Sequence, residues 1–180
     1  ITAENAADVL SAASPDLPYL LYRTVLDLKD QTYRTCPEIT IKEGGATGTA
    51  KGCDDSAQIT WSGSFNYEID LLTEAEKITF SKFSALGTGA DWIVSGSIDM
   101  VPGEGSWSET LTSRFAITSL GDPAKDFWVN TRGTYTVDSS EFLYADTYEG
   151  TVGVEAFGLA EVSATRVTVG FVNLCKFGAA

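Results

Sequence analysis

The side chains best suited to defined chemistry in this chain are two thiols. Cys36 and Cys53 flank a segment containing Gly44-Gly45-Ala46-Thr47-Gly48, which is turn material. Glu38–Lys42 and Thr47–Lys51 can pair across that turn as a hairpin with both cysteines at its open end, where a disulfide is geometrically easy. Two buried free thiols or a metal-binding pair are the competing readings. A bridge closing a loop of this length would stabilise the fold by ~3 kcal/mol on the chain-entropy model. Cys175, near the end of an apolar run, reads as a buried, inert thiol.

Other chemistry is constrained by what is missing. The chain has no histidine, which removes the commonest general base and a common metal ligand. Ser62-Gly63-Ser64 and Ser95-Gly96-Ser97 therefore cannot belong to a serine triad of the usual kind. Glu68 and Asp70 share one side of a strand, but that is also its solvent side, so they do not define a catalytic pair. Asp54-Asp55, Asp99 with Glu104, and Asp122 with Asp126 offer oxygen ligands without the ordered spacing of a calcium loop. No cofactor is expected, calcium being the one the composition leaves open. Gly87-x-Gly89 and Gly103-x-Gly105 lack the following helix that a phosphate loop needs. These absences favour a noncatalytic protein over an enzyme.

The aromatic residues carry more information. Trp61 and Trp92 are in phase with apolar strand positions and are expected in the core. Trp107 follows a glycine-rich loop, Trp128 is out of phase with Phe127 and Val129, and Tyr144 and Tyr148 flank a turn. These four are the expected recognition residues for a protein, peptide or glycan. The formal charge of −13, from 25 acids against 12 bases, excludes nucleic acid as a partner and opposes adsorption to anionic lipid. No apolar stretch reaches the 18 or so residues of a membrane-spanning helix. The chain opens Ile-Thr-Ala-Glu without an initiator Met; removal of upstream residues, such as a signal peptide or lipoprotein leader, is the simplest reading, and trimming of a tag or a terminus is equally compatible.

The elements that must position these residues follow from periodicity. Thr2–Ala13 can form a short helix, broken by Ser14-Pro15; Asp16 can cap a second helix with Leu17, Leu20, Leu21, Val25 and Leu28 on one stripe. After Cys36 the period switches to two. Trp61, Gly63, Phe65, Tyr67, Ile69 and Leu71 alternate with polar residues, and the pattern returns from Trp92 and from Phe127. Further strands are expected at Lys77–Leu86, Ser108–Ile117, Glu141–Asp146, Thr151–Ala156 and Leu159–Cys175. The last is apolar on both faces and so expected to lie centrally. The connections are too short for parallel crossovers.

Residues 1–180 thus read as a single, mainly β domain, with a helical segment 1–30 packed on an antiparallel region 36–177. Mid-strand Gly63, Gly96 and Gly133 point to a strongly curved antiparallel sheet or partial barrel; a two-sheet β sandwich is the alternative. If the helices cap a cavity, Leu20, Leu21, Phe65, Ile98, Phe115 and Tyr135 would line it, and the protein would carry a lipid or other apolar small molecule.

The succession Cys36-Pro37, a Gly/Thr-rich hairpin, Gly52-Cys53-Asp54 and Trp61-Ser62-Gly63-Ser64 resembles a pattern in uncharacterised secreted proteins and lipoproteins of Gram-negative bacteria. The resemblance spans Cys36–Ser64 and brings no activity with it. It implies export to the periplasm, the outer membrane or the cell surface, and a Cys36–Cys53 bridge. The expected function is a noncatalytic envelope or extracellular binding module, with the apolar-ligand carrier as its rival.

Overall fold

The computed structural model describes residues 14–30, 35–54, 59–86, 92–104, 108–120, 126–137, 142–155 and 158–171. Helix α1 spans Asp16–Asp30 and buries Pro18, Leu21, Tyr22, Val25 and Leu28 along one stripe. Its first turn is held by Ser14, whose Oγ accepts the Asp16 amide at 3.2 Å, so the capping oxygen comes from Ser14 rather than Asp16. The earlier helix expected at Thr2–Ala13 lies outside the described residues.

Nine strands follow: β1 (Glu38–Lys42), β2 (Gly45–Asp54), β3 (Thr60–Ile69), β4 (Glu76–Leu86), β5 (Trp92–Pro102), β6 (Ser108–Ser119), β7 (Phe127–Val137), β8 (Phe142–Val154) and β9 (Gly158–Phe171). Each pairs antiparallel with the next, and the spatial order equals the chain order. That meander is what connections too short for a crossover allow.

Alternation sorts the side chains onto two faces. On the inner face, one cross-strand row runs Phe65, Phe80, Gly96, Phe115, Val129 and Val152. Bulky rings fill it, and Gly96 separates two of them. Trp61, Phe65 and Phe80 each hold ring contacts with Phe83 at 5.4–6.1 Å. Helix α1 covers this face by lying across the strands. Near its start, Pro15 accepts the Tyr135 hydroxyl of β7 at 2.9 Å. At its middle, Tyr22 reaches Glu76 of β4. Near its end, Lys29 sits 5.3 Å from the centre of the Tyr67 ring of β3. Fifteen residues of helix extend ~22 Å, enough to cross the ~19 Å that separates β3 from β7 at normal strand spacing.

Several expectations are corrected. The sheet is neither strongly curved nor a partial barrel, and the described strands do not divide into a sandwich: they form one open sheet with β1 and β9 as its edges. The mid-strand glycines have local roles instead, and Gly133 leaves room for the Tyr135 and Tyr148 rings. Gly63 (φ +75°) sits in the β3–β4 register shift, opposite Lys82 (φ 48°). The final strand is an edge rather than a central strand, and the two strands expected around Asp146 and Thr151 are one continuous β8, Phe142–Val154; Glu141 and Ala156 lie outside the described residues. A bulge at Asp146 shifts the alternation midway along β8 and mimics a break in the sequence pattern.

The expected hairpin forms as β1 and β2, but with a tighter turn: Glu43-Gly44 make it, and Gly45–Gly48, expected as turn, already pair as strand β2. Cys36 and Cys53 are joined by a disulfide with Cα atoms 5.9 Å apart. Cys175 lies outside the described residues. No described helix is long and apolar enough to cross a membrane.

Candidate functional site

Among the described residues the inner face packs its side chains into one buried cluster with α1, and the outer face carries an open site. Across β6–β9 that face carries an open cleft of about 900 Å³, lined by Thr112, Arg114, Asn130, Arg132, Glu149, Thr151, Glu161 and Ser163, with Thr131, Gly150 and Val162 completing it. The register builds it from two rows. One runs Thr112, Arg132, Glu149, Ser163; the next runs Arg114, Asn130, Thr151, Glu161. The two arginines are thus diagonal neighbours on β6 and β7, and the two glutamates are diagonal neighbours on β8 and β9.

Gly150 keeps β8 close to β7 at this point. Its φ is +144°, and a β-carbon there would stand 2.2 Å from the Asn130 carbonyl oxygen, so no side chain fits.

Trp128 occupies the next position beyond Asn130 on the same face of β7. Its indole rests on the bare backbone of Gly153, directly opposite in register. A β-carbon at position 153 would lie 1.8 Å from Trp128 Cε2. The ring is supported on one side by β8 and remains 36% exposed, a fixed apolar platform at the end of a polar cleft. Leu159, paired with Gly153 from β9, extends the apolar end and is 72% exposed.

The cleft's charges are not used internally. Arg132 stands opposite Glu149, yet among the described residues no ion pair within 4.0 Å involves Arg114, Arg132, Glu149 or Glu161. Elsewhere on the sheet such pairs do close, as Lys77 with Asp99 at 3.7 Å and Arg166 with Asp146.

Of the residues singled out by sequence, Trp128 and Tyr144 share the outer face but not a site. Position 153, under Trp128, and position 144 are 153 − 144 = 9 residues apart on β8, ~30 Å at strand rise. Tyr144 lies beneath the Arg166 guanidinium, 4.3 Å from its ring centre. Tyr148 is 2% exposed on the inner face, and Trp107 lies outside the described residues.

Among the residues expected to line a cavity, Leu21, Phe65, Ile98, Phe115 and Tyr135 sit in one continuous buried cluster, while Leu20 points outward at 37% exposure. Of the calcium candidates, Asp99 pairs with Lys77 and Asp126 accepts the Ser119 amide at 2.8 Å. No group of three or more acidic or cysteine ligands gathers among the described residues.

Sequence reading missed Arg114, Arg132, Glu149 and Glu161. Each sits at an outward position of its alternating strand, which was the available signal. Their convergence needed the register of four strands.

Comparison of the chain with protein-family models, curated proteins and solved structures returns no match. The fold and the cleft therefore carry the functional argument: this is a mainly β domain in which the described residues form neither a metal cluster nor a histidine-based triad.

Proposed function

We propose that this protein is a noncatalytic binding module of the cell envelope or extracellular space that recognises a glycan in the β6–β9 cleft. The observation that carries this reading is the indole of Trp128, held on Gly153 at the end of an open cleft rich in planar and hydroxyl-bearing side chains. A sugar presents an apolar ring face and a rim of hydroxyls. An aromatic platform meets the first; Asn130, Thr112, Thr151, Ser163 and the carboxylates of Glu149 and Glu161 meet the second. The disulfide supports the location, because such bridges persist in oxidising compartments.

Glu149 and Glu161 are exposed on the surface of the sheet. Their carboxylates stand on an open, solvent-facing wall, a placement that suits hydrogen bonds from sugar hydroxyls.

The test is affinity electrophoresis of the whole chain through gels containing envelope and extracellular polysaccharides, with Trp128→Ala alongside. Retardation of the native protein that the variant loses supports the reading. Unretarded migration on every polysaccharide counts against it, and release of reducing ends would replace it with an enzymatic one.

A further inference from the structure

We infer that the glycan taken by this cleft is acidic, with a sugar carboxylate seated between Arg114 and Arg132. This rests on the glycan reading above and adds the ligand's charge and orientation.

The protein has 25 acids against 12 bases, and only five of those bases are arginines. Two of the five stand in one cleft on adjacent strands. Asn130 faces Arg114 across the ladder and Arg132 is two residues further along β7, so the two Cα atoms are diagonal neighbours ~7 Å apart. Guanidinium groups at that spacing reach a common point, and each offers the fork that fits a carboxylate. Placing two like charges so close is unfavourable unless an anion lies between them. The chain has acids nearby, yet neither arginine is paired within 4.0 Å among the described residues, even though Glu149 faces Arg132.

The opposite wall sets the orientation. Glu149 and Glu161, also diagonal neighbours, line the β8–β9 side. A bare inorganic anion would meet attraction at one wall and repulsion at the other. A sugar acid avoids this conflict, with its carboxylate on the arginine wall and its hydroxyls donating to the glutamates. A neutral sugar would leave both arginines without an ion-pair partner within 4.0 Å among the described residues.

A glycan array carrying uronate-, sialate- and neutral-terminated oligosaccharides tests this with the native chain, Arg114→Gln, Arg132→Gln and Trp128→Ala. All three substituted side chains are at the surface, so folding should survive, and circular dichroism checks it. The inference expects binding confined to acidic glycans, falling tenfold or more in each arginine variant and weakening when salt is raised from ~0.05 to ~0.5 M. Equal binding of neutral and acidic glycans overturns the inference and leaves the glycan reading standing. Acidic binding that both arginine variants retain but Trp128→Ala loses also overturns it, because the selectivity would then arise elsewhere. Silence of the native protein across the whole array overturns both readings.

Discussion

Tyr22 of α1 donates its hydroxyl to Glu76 Oε2 of β4 at 2.9 Å, joining residues 54 positions apart at the interface between helix and sheet. Tyr22 is 2% exposed, and burial together with the neighbouring Glu109 and Glu76 carboxylates pushes its ionisation well above the ordinary tyrosine range. The phenol therefore stays a donor throughout the accessible pH range. A hydrogen bond to a charged acceptor is worth ~1.5–3 kcal/mol. Tyr22→Phe should lower the urea-unfolding free energy by that amount with an unchanged m-value. A loss below ~0.5 kcal/mol would mean that the bond does not tie the helix to the sheet.

Glu109 lies on the inner face of β6, beside the helix. Burial raises its carboxyl above the ordinary range; Arg23 on α1 opposes that rise and Glu76 on β4 adds to it. The sign follows from linkage: a carboxyl that is harder to ionise in the folded state favours folding below its unfolded pKa and loses that contribution as pH rises through its folded value. Glu109→Gln should therefore be more stable than the native protein at pH 7, and the two should converge below pH ~4. Thermal unfolding across that window measures it, and a variant that is less stable at neutral pH would reverse the assignment.

Gly153 is needed as the seat of the Trp128 indole. In Gly153→Ala the new methyl group would stand 1.8 Å from Cε2, so the ring must leave its support while the strand pairing survives. Glycan affinity should fall about tenfold, or ~1.4 kcal/mol, with the far-ultraviolet dichroism unchanged. Calorimetric titration would show this, and full affinity in the variant would remove Trp128 from the binding surface.

Arg166 has a positive φ of 51° in β9, a conformation that disfavours any side chain. It is held there by Asp146, which also accepts the Thr136 hydroxyl, and by the ring of Tyr144. Substituting alanine removes the contacts and keeps the backbone cost; substituting glycine removes both. Arg166→Gly should thus be more stable than Arg166→Ala by ~1 kcal/mol, the reverse of the usual order in a strand. Chemical denaturation of the pair decides the matter.

The Cys36–Cys53 bridge closes a loop of sequence separation 17 around the β1–β2 hairpin. Cys36→Ser combined with Cys53→Ser should cost ~3 kcal/mol. The loss should be seen equally by tryptophan fluorescence and dichroism if the hairpin unfolds with the rest of the sheet.

Much of this architecture was legible because it is local. Alternation from Trp61 to Ile69 and from Phe127 to Val137 assigns each residue to a face, and short polar connections make neighbours antiparallel. The stripe Leu21, Val25, Leu28 marks the helix, and the hairpin that brings the cysteines together is encoded by its own turn. Trp128 could be read as outward-facing from its phase alone.

What the sequence determined by itself is therefore the helix, the hairpin and the strands whose alternation runs unbroken, since each depends on residues a few positions apart; the single β8 is not among them, because its bulge hides its continuity. Tertiary structure decided that the sheet stays open, that β9 is an edge despite apolar residues on both its faces, and that Tyr148 faces inward after the bulge at Asp146. It also assembled the cleft. Arg114 and Glu161 are 47 residues apart in the chain (161 − 114), and only the cross-strand register of four strands places them in one site. Register and edge position are set by the summed packing of the whole sheet against α1, an energy that no single segment contains.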